Sequence, residues 1–172
     1  MTLPRITLVL GGARSGKSRY AETLVREAGG GVYLATAQAL DAEMEARIAR
    51  HRADRGQGWT TIEEPLDLAA ALARGAQAGR PILVDCLTLW LSNLMGAERA
   101  IEGETARLLA ALKGLSVPAV LVSNEVGLGI VPDNALARAF RDEAGRLNQA
   151  VAAITDRVVF LAAGLPLVLK GG

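Results

Sequence analysis

The sequence predicts an α/β fold, a mainly parallel sheet with helices on both faces, and three observations carry that prediction. Short runs that are apolar throughout alternate with longer stretches of helical periodicity. Apolar residues make up 51% of the chain but aromatic residues only 3%, so the core is built from Leu, Val, Ile and Ala. That composition suits helices packed on a parallel sheet better than an all-β sandwich. Finally, polar residues end three of the apolar runs, as expected where strands deliver ligand-binding groups to one edge of a parallel sheet.

The elements follow in order. Ile6–Leu10 is the first strand, and it runs into a glycine loop. Lys17–Ala28 is a helix. Val32–Ala35, set off by Gly29-Gly30-Gly31, is the second strand. Leu40–Arg52 and Leu66–Ala73 read as helices, and Ile82–Val84 is a strand that ends at Asp85. Thr88–Leu94 and Gly103–Lys113 are helices. Ala119–Ser123 is a strand that ends at Asn124-Glu125, Asn134–Ala153 is a long helix, and Val158–Leu161 is a late strand. Strands without polar alternation need cover on both faces. The length of 172 residues suits one domain spanning 1–172. No repeat, low-complexity tract or long linker divides it.

Nineteen basic and eighteen acidic residues give a formal net charge of +1, which offers no reason to expect a nucleic-acid partner. The densest charged stretch, Glu43–Arg55, alternates in sign. The single cysteine, Cys86, follows an apolar run and is expected to be a buried thiol rather than a reactive one. The lack of a disulfide partner fits a reducing, cytoplasmic setting. The N-terminus has no signal-peptide pattern, because Met1–Arg5 holds a proline and the next apolar run enters a glycine loop. No apolar run reaches the roughly eighteen residues of a membrane helix, so no membrane insertion is expected.

Gly11-Gly12-Ala13-Arg14-Ser15-Gly16-Lys17-Ser18 satisfies G-x-x-x-x-G-K-[ST], which makes the expected fold P-loop NTPase-like. Glycines let the backbone curl so that successive N–H groups face phosphate oxygens. The following helix adds the partial positive charge of its N-terminus. Lys17 would reach the β- and γ-phosphates, and the Ser18 hydroxyl would ligate Mg²⁺. The motif stands between a strand and a helix, as this chemistry requires. Asp85, at the end of an apolar strand, suits a carboxylate acting on Mg²⁺ directly or through water; the alternative is an Asp capping the helix that begins near Leu87. Glu125 is a second acidic candidate, for which a structural hydrogen bond is the competing role. The sequence has no Asn-Lys pair, so the Asn-Lys-x-Asp base reader of a signalling GTPase is absent. A small-molecule kinase and a partner-driven ATPase both remain open at this point.

His51 is the only histidine. A lone histidine ordinarily sits on the surface or in a satisfied core position. At about 100° per residue, however, Leu40, Met44, Ile48 and His51 fall within one quadrant of a helix, which turns the imidazole toward protein rather than open water. Arg47, Arg50, Arg52 and Arg55 surround it in sequence. Nearby cations favour the neutral, nucleophilic imidazole, and the same arginines could hold polyphosphate. The competing reading is a solvated helix face paired with Glu43 and Glu45.

Together these residues resemble the bifunctional adenosylcobinamide kinase / adenosylcobinamide-phosphate guanylyltransferase family of cobalamin biosynthesis. The likeness rests on Gly11–Arg19, Tyr33–Gln38, Asp41–His51, Trp59 with Glu63, Leu83–Asp85, Val122–Pro132 and Arg138–Asn148, and so covers nearly the whole chain. The resemblance implies two reactions. A nucleoside triphosphate (ATP or GTP) phosphorylates the aminopropanol hydroxyl of adenosylcobinamide. GTP then gives its guanylyl group to a histidine, and adenosylcobinamide phosphate takes the GMP to form adenosylcobinamide-GDP. It also implies that His51 is the guanylylated residue and that nucleotide contacts fall on Gly11–Ser18, on Thr36, Ala37 and Gln38, on Arg52, Ala53, Asp54 and Arg55, on Glu63 and on Asp85. A homotrimer, with the site near a subunit interface, is implied as well. Two departures stand out: some relatives have two adjacent histidines where this chain has Arg50-His51, and others have Glu in place of Asp85. The segment Gly96–Gly103 is also shorter than the family pattern suggests.

Overall fold

A computed structural model of the chain describes residues 2–38 and 58–172. In chain order the described elements are β1 (Ile6–Gly11), α1 (Lys17–Glu27), β2 (Gly31–Ala35), β3 (Trp59–Glu63), α2 (Leu68–Ala76) and β4 (Ile82–Asp85). They continue with α3 (Leu87–Gly96), α4 (Ile101–Lys113), β5 (Ala119–Asn124), α5 (Ala135–Ile154), β6 (Arg157–Ala162) and β7 (Leu165–Lys170). The strands form one sheet in the order β3-β2-β4-β5-β1-β6-β7. Every pairing is parallel except that of β6 with β7.

The apolar strands bury both faces because successive side chains point to opposite sides. On one side Ile6, Leu8, Leu10, Val32, Leu34, Ile82, Val84, Ala119 and Leu121 meet α2, α3, α4 and α5 through residues such as Leu72, Trp90, Leu108, Leu147 and Val151. On the other side Val9, Tyr33, Leu83, Val120, Val122 and Val159 pack against Ala21 and Val25 of α1. The expected α/β architecture with helices on both faces is therefore the one observed. This parity also fixes direction at the carboxyl edge. Gly11, Asp85 and Asn124 each continue the α1-facing row of their strand, whereas Ser123 faces the opposite side.

Capping residues account for several shifted helix ends. The Asp67 carboxylate accepts from the Ala70 N–H at 3.3 Å, so α2 starts at Leu68 rather than Leu66 and runs on to Ala76. Asn134, expected as the first helical residue, instead caps α5 by accepting from the Ala137 N–H at 2.7 Å. Asp85 is not the cap of α3. Cys86 holds that position, with the Leu89 N–H directed at its sulfur. Two strands, β3 and β7, were not expected from the sequence. The predicted helix Leu40–Arg52 lies outside the described residues.

Candidate nucleotide site

β1 ends at the loop expected to cradle phosphate. The loop reverses in a tight turn, with the Ser15 N–H donating to the Gly12 carbonyl at 3.3 Å. Arg14 at φ 57° and Gly16 at φ 93° supply the left-handed backbone that the curl needs. A Cβ on Gly11 would lie 2.5 Å from Ser15 Oγ and 2.8 Å from the Leu161 carbonyl oxygen, while one on Gly12 would meet nothing within 4 Å. The first glycine is thus demanded by close packing, and the second faces open space. Gly16 precedes α1 without a side-chain cap, and the first turn of the helix holds no acidic residue. Among the described residues, then, no side chain of the N-cap or first turn supplies the carboxylate or hydroxyl that usually caps such an end, an arrangement suited to an anion. Lys17 Nζ donates to the Gly12 carbonyl at 3.1 Å, across the mouth of the loop. Ser18, one residue further along α1, is half-buried, and Ala13 and Arg14 are exposed at the loop tip.

Asp85 ends β4 on the same face of the sheet. Its Oδ2 accepts from the Tyr33 hydroxyl at 2.8 Å, which orients the carboxylate and leaves further lone pairs for other partners. The Asp85–Cys86 peptide bond is cis. Thr36 closes this corner: its hydroxyl donates to the Cys86 carbonyl at 2.7 Å and accepts from the Cys86 N–H at 2.9 Å. The Thr36 N–H donates to the Asp85 carbonyl at 3.2 Å. Thr36, expected among the nucleotide contacts, is fully buried with its hydroxyl engaged on both sides, so its side chain fixes the ends of β2 and β4. Ala37 and Gln38 follow, half-buried. Burial, then the neighbouring Asp85 charge, pushes the Cys86 thiol up to about 11 from its ordinary 9.0, in keeping with an inert, buried cysteine.

β5 lies between β4 and β1, so its carboxyl end separates Asp85 from the glycine loop. Asn124 is in register with Gly11, and the Glu125 N–H donates to the Gly11 carbonyl at 3.1 Å. The Glu125 carboxylate accepts from the Gly127 N–H at 2.7 Å, the structural hydrogen-bonding role weighed for it. Beneath this end runs a buried polar chain. Ser123 Oγ donates to Asn148 Oδ1 at 2.6 Å, and Asn148 Nδ2 donates to the Asn124 carbonyl at 3.1 Å. The Asn124 N–H donates to Thr88 Oγ1 at 2.7 Å.

Neither this chain nor one other support is marked by a motif in the sequence. Asn148 could have been found, since it interrupts the apolar stripe Ala144, Leu147, Val151 of the long helix. The other support is the β6–β7 hairpin. Its turn, Ala163 (φ 52°) and Gly164 (φ 79°), sets the Gly164 N–H on the Ser15 carbonyl at 2.9 Å. A Cβ on Gly16 would lie 3.3 Å from Gly164 Cα. A two-residue turn ending in Gly between Val158–Ala162 and Leu165–Leu169 is the available signal.

Of the expected site residues, the structure brings Gly11–Ser18, Thr36, Ala37, Gln38 and Asp85 to one edge. Glu63 ends β3 at the same edge, in register with Ala35, and is exposed. His51, Arg52, Ala53, Asp54 and Arg55 lie outside the described residues. Among the described residues no group of three or more His, Cys, Asp and Glu could hold a metal ion, and no helix is long and apolar enough to cross a membrane.

Comparison with known proteins adds to this geometry. The model of the family described as cobinamide kinase / cobinamide phosphate guanyltransferase matches residues 7–169. The bifunctional adenosylcobalamin biosynthesis protein CobP of Pseudomonas aeruginosa is 56% identical over 167 residues, covering 95% of this chain and 96% of that one. The bifunctional adenosylcobalamin biosynthesis protein CobU of Salmonella typhimurium is 43% identical over 178 residues, covering 95% and 98%. Among solved structures, an ATPase from a bacterial type III secretion system superposes with a TM-score of 0.56 at 11% identity, covering 96% of this chain and 57% of that one. The P4 protein of bacteriophage phi6 in complex with ADP gives 0.50 at 19% identity, covering 95% and 52%. This chain therefore spans little more than half the length of those two proteins, and the likeness concerns the fold alone.

Proposed function

The chain belongs to the cobinamide kinase / cobinamide phosphate guanyltransferase family, and on that premise we propose how its residues divide the two transfers. In the first, ATP or GTP is seated on Gly11, Gly12, Ala13, Arg14, Ser15 and Gly16, with its β- and γ-phosphates facing the open N-terminus of α1. Lys17 leaves the Gly12 carbonyl for the phosphates and neutralises charge at the γ-phosphoryl group. The aminopropanol hydroxyl of adenosylcobinamide takes that group. In the second, the neutral imidazole of His51 attacks the α-phosphorus of GTP and pyrophosphate leaves along the same loop. Adenosylcobinamide phosphate then takes GMP from the histidine, giving adenosylcobinamide-GDP. A phosphoramidate retains high group-transfer potential, so the net reaction divides into two in-line displacements.

Mg²⁺ fits the residues present. Ser18 and Asp85 would hold it, the latter directly or through water, with Tyr33 orienting the carboxylate. Mg²⁺ takes few protein ligands and keeps waters and substrate phosphates, which suits a site without a three-residue ligand cluster among the described residues. When bound, it would neutralise charge at the phosphates. Ala37, Gln38, Glu63, Arg52, Ala53, Asp54 and Arg55 complete the nucleotide contacts, the arginines on the polyphosphate, while buried Thr36 holds the corner behind them. The enzyme works in the cytoplasm as a homotrimer.

The observation that supports this reading is the N-terminus of α1 behind the glycine loop, with a glycine at its cap and no acidic residue in its first turn, the Lys17 ammonium across its mouth, on the same sheet face as Asp85. It is tested by incubating the protein with adenosylcobinamide, Mg²⁺ and a γ-labelled nucleoside triphosphate. Label should move to the corrinoid, and Lys17→Ala should lose about 10²–10³ in rate. Undiminished transfer by Lys17→Ala would refute the assignment of the loop.

A further inference from the structure

Asn124 stands out at the carboxyl edge. Its strand lies between the one that bears the glycine loop and the one that bears Asp85. Its side chain continues the row of Val120 and Val122, which face α1, so it is directed to the same side as the loop. Register places it beside Gly11. The main chain of Asn124 is held on both sides by buried groups, Thr88 at its N–H and Asn148 at its carbonyl. Its own Oδ1 is buried and has no hydrogen-bond partner among the described residues. An unsatisfied buried acceptor is costly, and here three polar side chains (Thr88, Ser123, Asn148) fix the backbone that presents it. Unpaired groups of this kind call for a partner.

We propose that Asn124 is a further substrate-contacting residue of the phosphoryl-transfer step, its carboxamide oxygen accepting a hydrogen bond from the acceptor hydroxyl and aligning it on the γ-phosphorus. The inference rests on the functional reading above. The carboxamide orients and takes no proton. The hydroxyl oxygen bonds the γ-phosphorus, the bond to the β,γ-bridging oxygen breaks with its electron pair leaving on the nucleoside diphosphate, and the hydroxyl proton is released to water. The guanylyl step needs no such alignment on the γ-phosphorus, so Asn124 serves one reaction and not the other.

The test uses the full chain and Asn124→Leu, which keeps the shape of the side chain and removes its polar atoms. Four quantities are measured beside wild type: the melting temperature without ligand, the dissociation constant for GTP with Mg²⁺, protein labelling by α-labelled GTP, and kcat and KM for phosphorylation of adenosylcobinamide. The inference predicts a melting temperature no lower than wild type, GTP affinity and labelling within about threefold, and kcat for phosphorylation reduced about 100-fold. An unchanged kcat overturns it. A lowered melting temperature, or loss of GTP affinity or labelling in step with phosphorylation, also overturns it, because these mark a structural role. If wild type labels itself but phosphorylates no adenosylcobinamide, the functional reading fails instead.

Discussion

Replacing Gly11 by alanine tests how the glycine loop is set against the sheet. The new methyl would stand 2.5 Å from Ser15 Oγ and 2.8 Å from the Leu161 carbonyl oxygen. Neither neighbour yields easily. Leu161 is backbone within β6, in register with Gly11, and Ser15 is itself buried. Either β1 and β6 part locally or the loop shifts. Overpacking of this kind costs about 1–3 kcal/mol, and for a chain of this length each kcal/mol lowers the melting temperature by roughly 2–4 °C. A fall of roughly 2–12 °C is therefore expected in thermal unfolding followed by circular dichroism without nucleotide. Affinity for GTP should weaken as well, because the loop N–H groups move. Gly12→Ala is the control: its Cβ has nothing within 4 Å, and its melting temperature should match wild type. Equal melting temperatures for Gly11→Ala, Gly12→Ala and wild type would refute the packing argument.

Asn148→Ala should cost about 1–3 kcal/mol in urea unfolding, since it strips partners from buried Ser123 Oγ and from the Asn124 carbonyl; no loss would contradict the network. Cys86 makes a pH-dependent contribution. Its folded value is raised from 9.0 to about 11, so the stability it confers is fully present below pH 9 and is lost as pH rises from about 9 to 11. Relative to Cys86→Ala, wild type should lose on the order of 2–3 kcal/mol across that window, as read by denaturation at stepped pH; parallel profiles would contradict it. The same burial predicts slow reaction of the native thiol with a disulfide reagent at pH 8, and fast reaction once the chain is unfolded.

The parts of the fold legible in the sequence are those where burial leaves a compositional trace. Five strands are covered on both faces, and their runs of Val, Leu, Ile and Ala are apolar throughout. β3 and β7 are edge strands. In Trp59–Glu63 the residues Thr60, Thr61 and Glu63 are exposed, so no apolar run marks it. Leu165–Lys170 is apolar but exposed along its whole length, and in the sequence only the Ala163-Gly164 turn signals its antiparallel pairing with β6. The loop and Asp85 were readable because phosphate chemistry demands particular residues at fixed spacing. The groups that support them were less so: Asn148 and Gly164 leave local traces, a break in an apolar stripe and a hairpin turn, but what they, Tyr33 and Thr88 touch depends on strand order and lies dozens of positions away in sequence. Thr36 shows the converse, being part of a recognisable block yet placed to join β2 to the turn after β4.

Guanylyl transfer through His51, beside phosphoryl transfer at the glycine loop, is what separates the proposed function from that of a simple kinase. Its most direct test is to incubate the protein with Mg²⁺ and GTP labelled at the α-phosphate, denature it and assay bound label. Wild type should carry label that is acid-labile and alkali-stable, as a phosphoramidate is, and His51→Ala should carry none. A folded, GTP-binding wild type that takes no label, or a His51→Ala protein labelled as strongly as wild type, would contradict it.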